Sequence, residues 1–313
     1  MANNVFKFHI GIDVSKTNLD VSISSKSTFF QVSNNEAGLK ELIKNIPNKK
    51  RSLIVFEASG GYEKYAANYL RRKKCNVAVV NAKRVRDFAK AGGNLAKTDK
   101  IDARVIMEFG KSFNPTPQSL ASAEEEKRLN AFNRRNQLVK MITLEKQHLE
   151  KASDEFQKFI LKHIKFLEKE LELTEKYLLE RFDKDPILRD KLERLDGIKG
   201  VGKVTAMNIL VYMPEIGQLT AKEVSALAGV APFNKDSGQM RGRRIIRGGR
   251  APIRTALYMA ALSAKKSNSA IKRFYDRLIK QGKLAKVALV ACMRKLIIVM
   301  NSIIRDNTVW EPR

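Results

Sequence analysis

The sequence predicts a mixed α/β domain at the front of the chain, then a long helical arm, then a helical C-terminal domain. Three observations carry this. Up to about residue 110, short β-rich runs alternate with segments of helical period. No glycine stands between Gly110 and Gly197, and no proline between Pro117 and Pro186. From Leu195 onward, glycines punctuate apolar helical runs. The expected boundaries are 1–115, 120–185 and 190–313.

The elements follow in order. "FKFHIGIDV" and "NLDVSI" are β-rich runs around a small polar turn, so they predict a hairpin, with "STFFQVS" as a third strand beside them. "EAGLKELIKNI" spaces its apolar residues by three and four, which predicts a helix. "SLIVFEA" is an apolar run of strand length, broken by "SGGY". "YEKYAANYLRRK" predicts a helix, "CNVAVVNA" a buried strand, and "TDKIDARVIMEFGK" a further helix. Three strands, helix, strand, helix, strand, helix is the order of a ribonuclease-H-like domain, where an antiparallel meander precedes βα units. In such a domain the first and fourth strands are neighbours at the sheet centre.

In the middle region Leu138, Ile142, Leu149, Ala152, Phe156, Ile160, Ile164, Leu167, Leu171 and Leu178 recur mostly at three-, four- or seven-residue steps. Charged residues fill the gaps. This predicts one long helix, or two, of coiled-coil character. The stripe serves either packing on its own chain or a dimerisation arm. Further on, "LDGIKGVGKVTAMNIL" places a Gly-x-Gly turn between two helical segments, a pattern that suits a helix-hairpin-helix. Backbone amides at such a helix start can hold a phosphate, with Lys199 and Lys203 beside them. "APIRTALYMAALSAKKS" and "KLAKVALVACMRKLIIVMNSII" predict two more helices.

Composition narrows the partners. Lys and Arg number 60 against 33 Asp and Glu, a net charge of +27. Such a charge points to a polyanion, nucleic acid first, with an anionic membrane surface as the rival. The apolar segment from Ala285 to Met300 is interrupted by Arg294 and Lys295 and is short for a bilayer. Cys75 and Cys292 form no metal-like spacing and suit a reducing compartment. The N-terminus runs straight into a strand pattern, so a cytoplasmic protein is expected.

Four carboxylates stand out. Asp13 sits near the end of the first strand and Glu57 ends "LIVFE". Asp99 and Asp102 are three apart, on one face of a helix. In a ribonuclease-H-like sheet Asp13 and Glu57 project at the same end, and the last helix can bring the other two over it. Converging carboxylates repel, and hard divalent cations remove that penalty; magnesium fits, and two ions suit phosphoryl transfer. Singly, each acid reads equally as a turn former or a helix cap.

The segment "FNKDSGQMRGRRIIRGGR" begins a basic stretch. From Phe233 to Arg254 it holds seven Lys or Arg, namely Lys235, Arg241, Arg243, Arg244, Arg247, Arg250 and Arg254, and one acid, Asp236. Gly238, Gly242, Gly248 and Gly249 would let its backbone approach a duplex closely. Ser237 reads as a hydrogen-bond donor to phosphate or as a nucleophile. No His or Lys stands at a motif spacing to activate it, so bound cations would have to stabilise the alkoxide.

Together "GIDVSK", "FEASGGY", "AKTDKIDA", "GIKGVGKVTA" and "AGVAPFNKDSGQMRGRRIIRGGRAPIRTAL" resemble the DEDD-type insertion-sequence transposases, which are bridge-RNA-guided serine recombinases. The resemblance covers almost the whole chain. It implies that Asp13, Glu57, Asp99 and Asp102 are the metal-binding quartet of a RuvC-like domain, with Mg2+ as cofactor. It implies that Ser237 is the catalytic serine, linked covalently to the DNA 5′ end during strand exchange. Partners implied are donor and target DNA, a structured noncoding bridge RNA, and a homodimer that pairs into a tetramer, with no membrane. Nucleic-acid contacts are expected from Lys97, Lys199, Lys203 and the seven cations of the basic stretch. The competing reading is a RuvC-like nuclease or junction resolvase that uses water; a nucleic-acid chaperone with structural carboxylates is a third.

Overall fold

The computed structural model describes residues 6–25, 28–93, 99–234 and 244–311, with the backbone only at 99 and 100. The chain divides into two units, Met1–Ala121 and Ser122–Arg313.

The first unit is built on one five-stranded sheet. Strands β1 (Phe8–Val14), β2 (Asn18–Ile23) and β3 (Thr28–Ser33) form the antiparallel meander. Strands β4 (Ser52–Glu57) and β5 (Asn76–Val80) run parallel to β1, giving the order β3-β2-β1-β4-β5. The expected neighbouring of the first and fourth strands is therefore observed. The helices are α1 (Glu36–Asn45), α2 (Glu63–Arg72), α3 (Ala82–Ala91) and α4 (Asp99–Phe113).

The central strands are buried on both faces, as parallel strands covered by helices are. On one face Ile10, Ile12, Leu19 and Val21 pack with Leu39 and Leu42 of α1 and Leu70 of α2. On the other, Leu53, Val55 and Ala78 pack with Val105, Ile106 and Phe109 of α4. This architecture is consistent with a ribonuclease-H-like domain. One element was not expected: α3 follows β5 directly. Asn81 caps it by accepting from the Lys83 amide, and Val85 buries its inner face.

The second unit is helical. Two helices, α5 (Ala123–Leu149) and α6 (Asp154–Asp183), make the long middle region, so the choice between one helix and two falls to two. Ser122 and Glu125 start α5 with a reciprocal capping box. Leu138 and Ile142 of α5 meet Leu167 and Leu171 of α6. Toward their other ends Phe132, Leu178 and Phe182 enter the core of the C-terminal helices. Those helices are α7 (Pro186–Asp196), α8 (Lys203–Tyr212), α9 (Ala221–Leu227), α10 (Ala251–Ser267), α11 (Ser269–Lys280) and α12 (Ala285–Asp306). A ribbon of β6 (Pro232–Phe233) and β7 (Ile245–Ile246) precedes α10.

Three helices, not two, follow the basic stretch. Asn268 makes the extra break: it ends α10 and accepts from the Ile271 amide to start α11. Its Nδ2 also donates to the Lys199 carbonyl, tying this corner to the α7–α8 turn at 3.1 Å. The last helix runs to Asp306, two residues past the expected Ile304. At 22 residues it is long and apolar enough to cross a membrane, and it is the one such helix among the described residues. Ten of its residues are buried in this unit's core.

Candidate active site

Strand pairing builds the carboxylate end of the first unit. In the parallel β1–β4 register Ile12 stands opposite Phe56. Asp13 and Glu57 occupy the next position on each strand, so they lie side by side where the strands end. Both share a face with Gly11 and Val55, two residues earlier, which face α4. The Oδ1 of Asp13 accepts from the Val14 amide at 3.0 Å, which orients the carboxylate.

The direction of α4 follows from two glycines. A Cβ on Gly11 would lie 2.2 Å from the Ala103 carbonyl oxygen and 2.2 Å from the Met107 nitrogen. A Cβ on Gly110 would meet His9 Cδ2 at 4.0 Å. Later residues of α4 thus lie over earlier residues of β1, and the helix runs antiparallel to the strand. Its first turn, with Asp99 and Asp102, is carried toward the Asp13 end. The side chain of Asp99 lies outside the described residues. Among the described residues no three His, Cys, Asp or Glu side chains gather as a metal cluster. Asp13 and Glu57, side by side at the strand ends, offer oxygen donors only, which fits a hard divalent cation.

Two further acids were missed by sequence reasoning. Asp20 is the cross-strand partner of Asp13 on β2 and is 4% exposed. It accepts from Gln31 Nε2 at 2.9 Å, and Gln31 is its own partner on β3. The signal was an aspartate set inside the alternation of "NLDVSI". Glu63 is also buried; its Oε2 accepts from the Ser59 amide and hydroxyl and from the Gly61 amide. It pins the loop that follows Glu57, and its sequence signal is an acid at a helix start.

The basic stretch is described only at its flanks. Ser237, Lys235, Arg241 and Arg243 lie outside the described residues, as does Lys97. Pro232 pairs with Ile246 and Phe233 with Ile245, so the two ends of the segment 234–244 are held together. Below the ribbon, a Cβ on Gly249 would lie 2.2 Å from the Gly229 nitrogen. The close approach expected of Gly249 toward a duplex is thus made to its own chain. The Arg250 amide donates to the Leu227 carbonyl at 2.7 Å. Its guanidinium pairs with Glu215 at 2.6 Å and donates to the Tyr212 carbonyl at 2.7 Å. Arg254 donates to the Gly248 carbonyl. Arg250 and Arg254 therefore hold the base of the ribbon, while Arg244, Arg247, Lys199 and Lys203 are exposed.

Comparison with known proteins covers both units. A family model for DEDD-type IS110 transposases, described as Transposase, matches residues 10–156. A second, described as Transposase IS116/IS110/IS902 family, matches residues 192–276. The pilin gene-inverting proteins of Moraxella bovis and Moraxella lacunata are each 26% identical over 98% of this chain and 98% of their own. An uncharacterized 43.6 kDa protein of insertion element IS110 from Streptomyces coelicolor is 32% identical over 38% of this chain and 30% of its own. With a sheet that sets Asp13 beside Glu57 and family matches on both units, the chain belongs to the IS110 family of insertion-sequence transposases.

Proposed function

We propose that this transposase cuts, exchanges and rejoins DNA strands with Ser237 as nucleophile, guided by a structured bridge RNA. The observation that supports the reading is the side-by-side placement of Asp13 and Glu57 where β1 and β4 end, on the face that α4 covers. Asp13, Glu57, Asp99 and Asp102 would hold Mg2+, in one or two ions. Bound there, the cations supply Lewis-acid stabilisation of charge on the scissile phosphate. The Ser237 hydroxyl attacks phosphorus, the DNA 3′ oxygen leaves, and a 5′-phosphoserine link results. The reverse attack by another strand's 3′ hydroxyl rejoins DNA and frees the serine. Likeness to pilin gene-inverting proteins along the full length supports rejoining, because inverting a segment requires both ends to be resealed.

The same reading takes the protein as a homodimer that pairs into a tetramer on donor and target DNA. Exposed Phe156, Phe159, Phe166, Leu173 and Tyr177 on α6 support an arm that meets a second copy. The α7–turn–α8 segment would serve as the helix-hairpin-helix, with Lys199 and Lys203 toward phosphate, and Lys97, Lys235, Arg241, Arg243, Arg244 and Arg247 as further contacts. The water-using nuclease remains the second reading, because the carboxylate end alone provides what it requires.

Incubation with Mg2+, guide RNA and both DNAs, followed by denaturing electrophoresis, tests the choice. Wild type is expected to form a protein–DNA adduct and recombinant product, and Ser237→Ala neither. Asp13→Ala and Glu57→Ala are expected to lose cleavage by at least about a thousandfold. Cleavage that persists in Ser237→Ala, with no adduct in wild type, establishes the water-using nuclease instead.

A further inference from the structure

The second unit carries a cation-lined cavity formed by α11 and α12, with no ribbon residue in its lining. Its volume is about 220 Å3, and it is lined by Ala270, Arg273, Phe274, Arg277 and Lys295. Three of these five residues are cations and none is a carboxylate. Arg277 Cζ lies 5.3 Å from the centroid of the Phe274 ring, and Lys295 Nζ lies 4.9 Å from the same centroid.

One aromatic ring attracts both positive groups by its quadrupole and keeps them at the wall of this cavity. Neither Arg277 nor Lys295 forms an ion pair among the described residues. Elsewhere on the same unit, Arg194 pairs with Asp190 and Arg305 with Asp306. An anion seated in the cavity would accept from guanidinium and ammonium donors together.

We infer that the α11–α12 cavity binds a backbone phosphate of nucleic acid, outside the Ser237 segment, and so tracks DNA or RNA across the C-terminal unit. The net charge of +27 makes a polyanion the expected source of that phosphate. The inference uses the family's action on DNA but not the serine chemistry.

The test uses the full chain and fluorescence anisotropy over a salt series, with a duplex DNA in one arm and an RNA hairpin in the other. Arg277→Gln with Lys295→Gln removes both cations at half-exposed or exposed positions. Affinity is expected to weaken about tenfold or more, since hydrogen bonds to charged groups are the strong ones. The slope of log affinity against log salt is expected to shrink by about 1 or more. The arm that loses affinity identifies DNA or RNA as the source. Lys44→Gln with Lys50→Gln removes the same charge from exposed sites of the other unit and is the control. Phe274→Leu keeps the apolar filling but loses the ring, and is expected to weaken binding less than the double variant. Equal behaviour of the double variant and the control in both arms overturns the inference. Anisotropy reads binding and not strand transfer, so failure of the cavity and failure of the serine reading are separate results.

Discussion

A methyl group at Gly11 has no room, because α4 presents its backbone there at 2.2 Å. Nothing flexible can give way, so Gly11→Ala must push the helix off the sheet. Unit stability is expected to fall by at least about 2 kcal/mol, the usual scale for overpacking, as a lowered melting temperature. Divalent-cation binding, followed by calorimetry, is expected to weaken with it, since α4 carries Asp99 and Asp102. His9, two residues earlier, supplies a pH effect. Burial lowers its pKa below the ordinary 6.5, against a raising hydrogen bond from Asn114; Lys111 lowers it and Glu108 raises it. The unfolded chain therefore binds the proton more readily than the folded one. Stability contributed by neutral His9 is present above 6.5 and is lost as pH falls through that value toward the folded pKa. Urea melts across that range are expected to show this loss in wild type and not in His9→Asn.

At the scale of elements, α6 has two apolar faces. One packs on α5 through Leu167 and Leu171. The other is open, with Phe159 70% exposed and Phe166 58% exposed. Phe159, Phe166 and Leu173 recur every seven residues, a spacing that fits a second helix better than solvent. Phe159→Glu with Phe166→Glu is expected to turn the proposed dimer into monomer by light scattering, with helix content kept. The ribbon is set by a different device. Gly229 against Gly249, and Arg250 against Glu215, close its base so that the segment 234–244 leaves and returns at one point.

For the whole molecule, charge is the governing quantity. At +27, association with DNA or RNA is expected to release many counterions. With six or more phosphate contacts, affinity is expected to drop at least about a thousandfold between 50 and 200 mM salt, and filter binding measures it. A flat salt response would contradict a backbone-tracking protein. Neither cysteine should complicate such work. Both are buried, and burial pushes the Cys292 thiol up to about 11.

Local pattern by itself determined the kinds of element, most of their order, the acids that end β1 and β4, and the polyanion-seeking charge. Period and turn chemistry act over a few residues, so they are written in the chain. It did not disclose α3 or α11, short helices rich in basic residues. Nor could it show Asp20 opposite Asp13, Glu63 beneath the loop after Glu57, or Gly249 against Gly229. Those relations join residues distant in sequence or set by strand register. Only packing decides them, because a strand chooses its partner, and a glycine its neighbour, through the core as a whole.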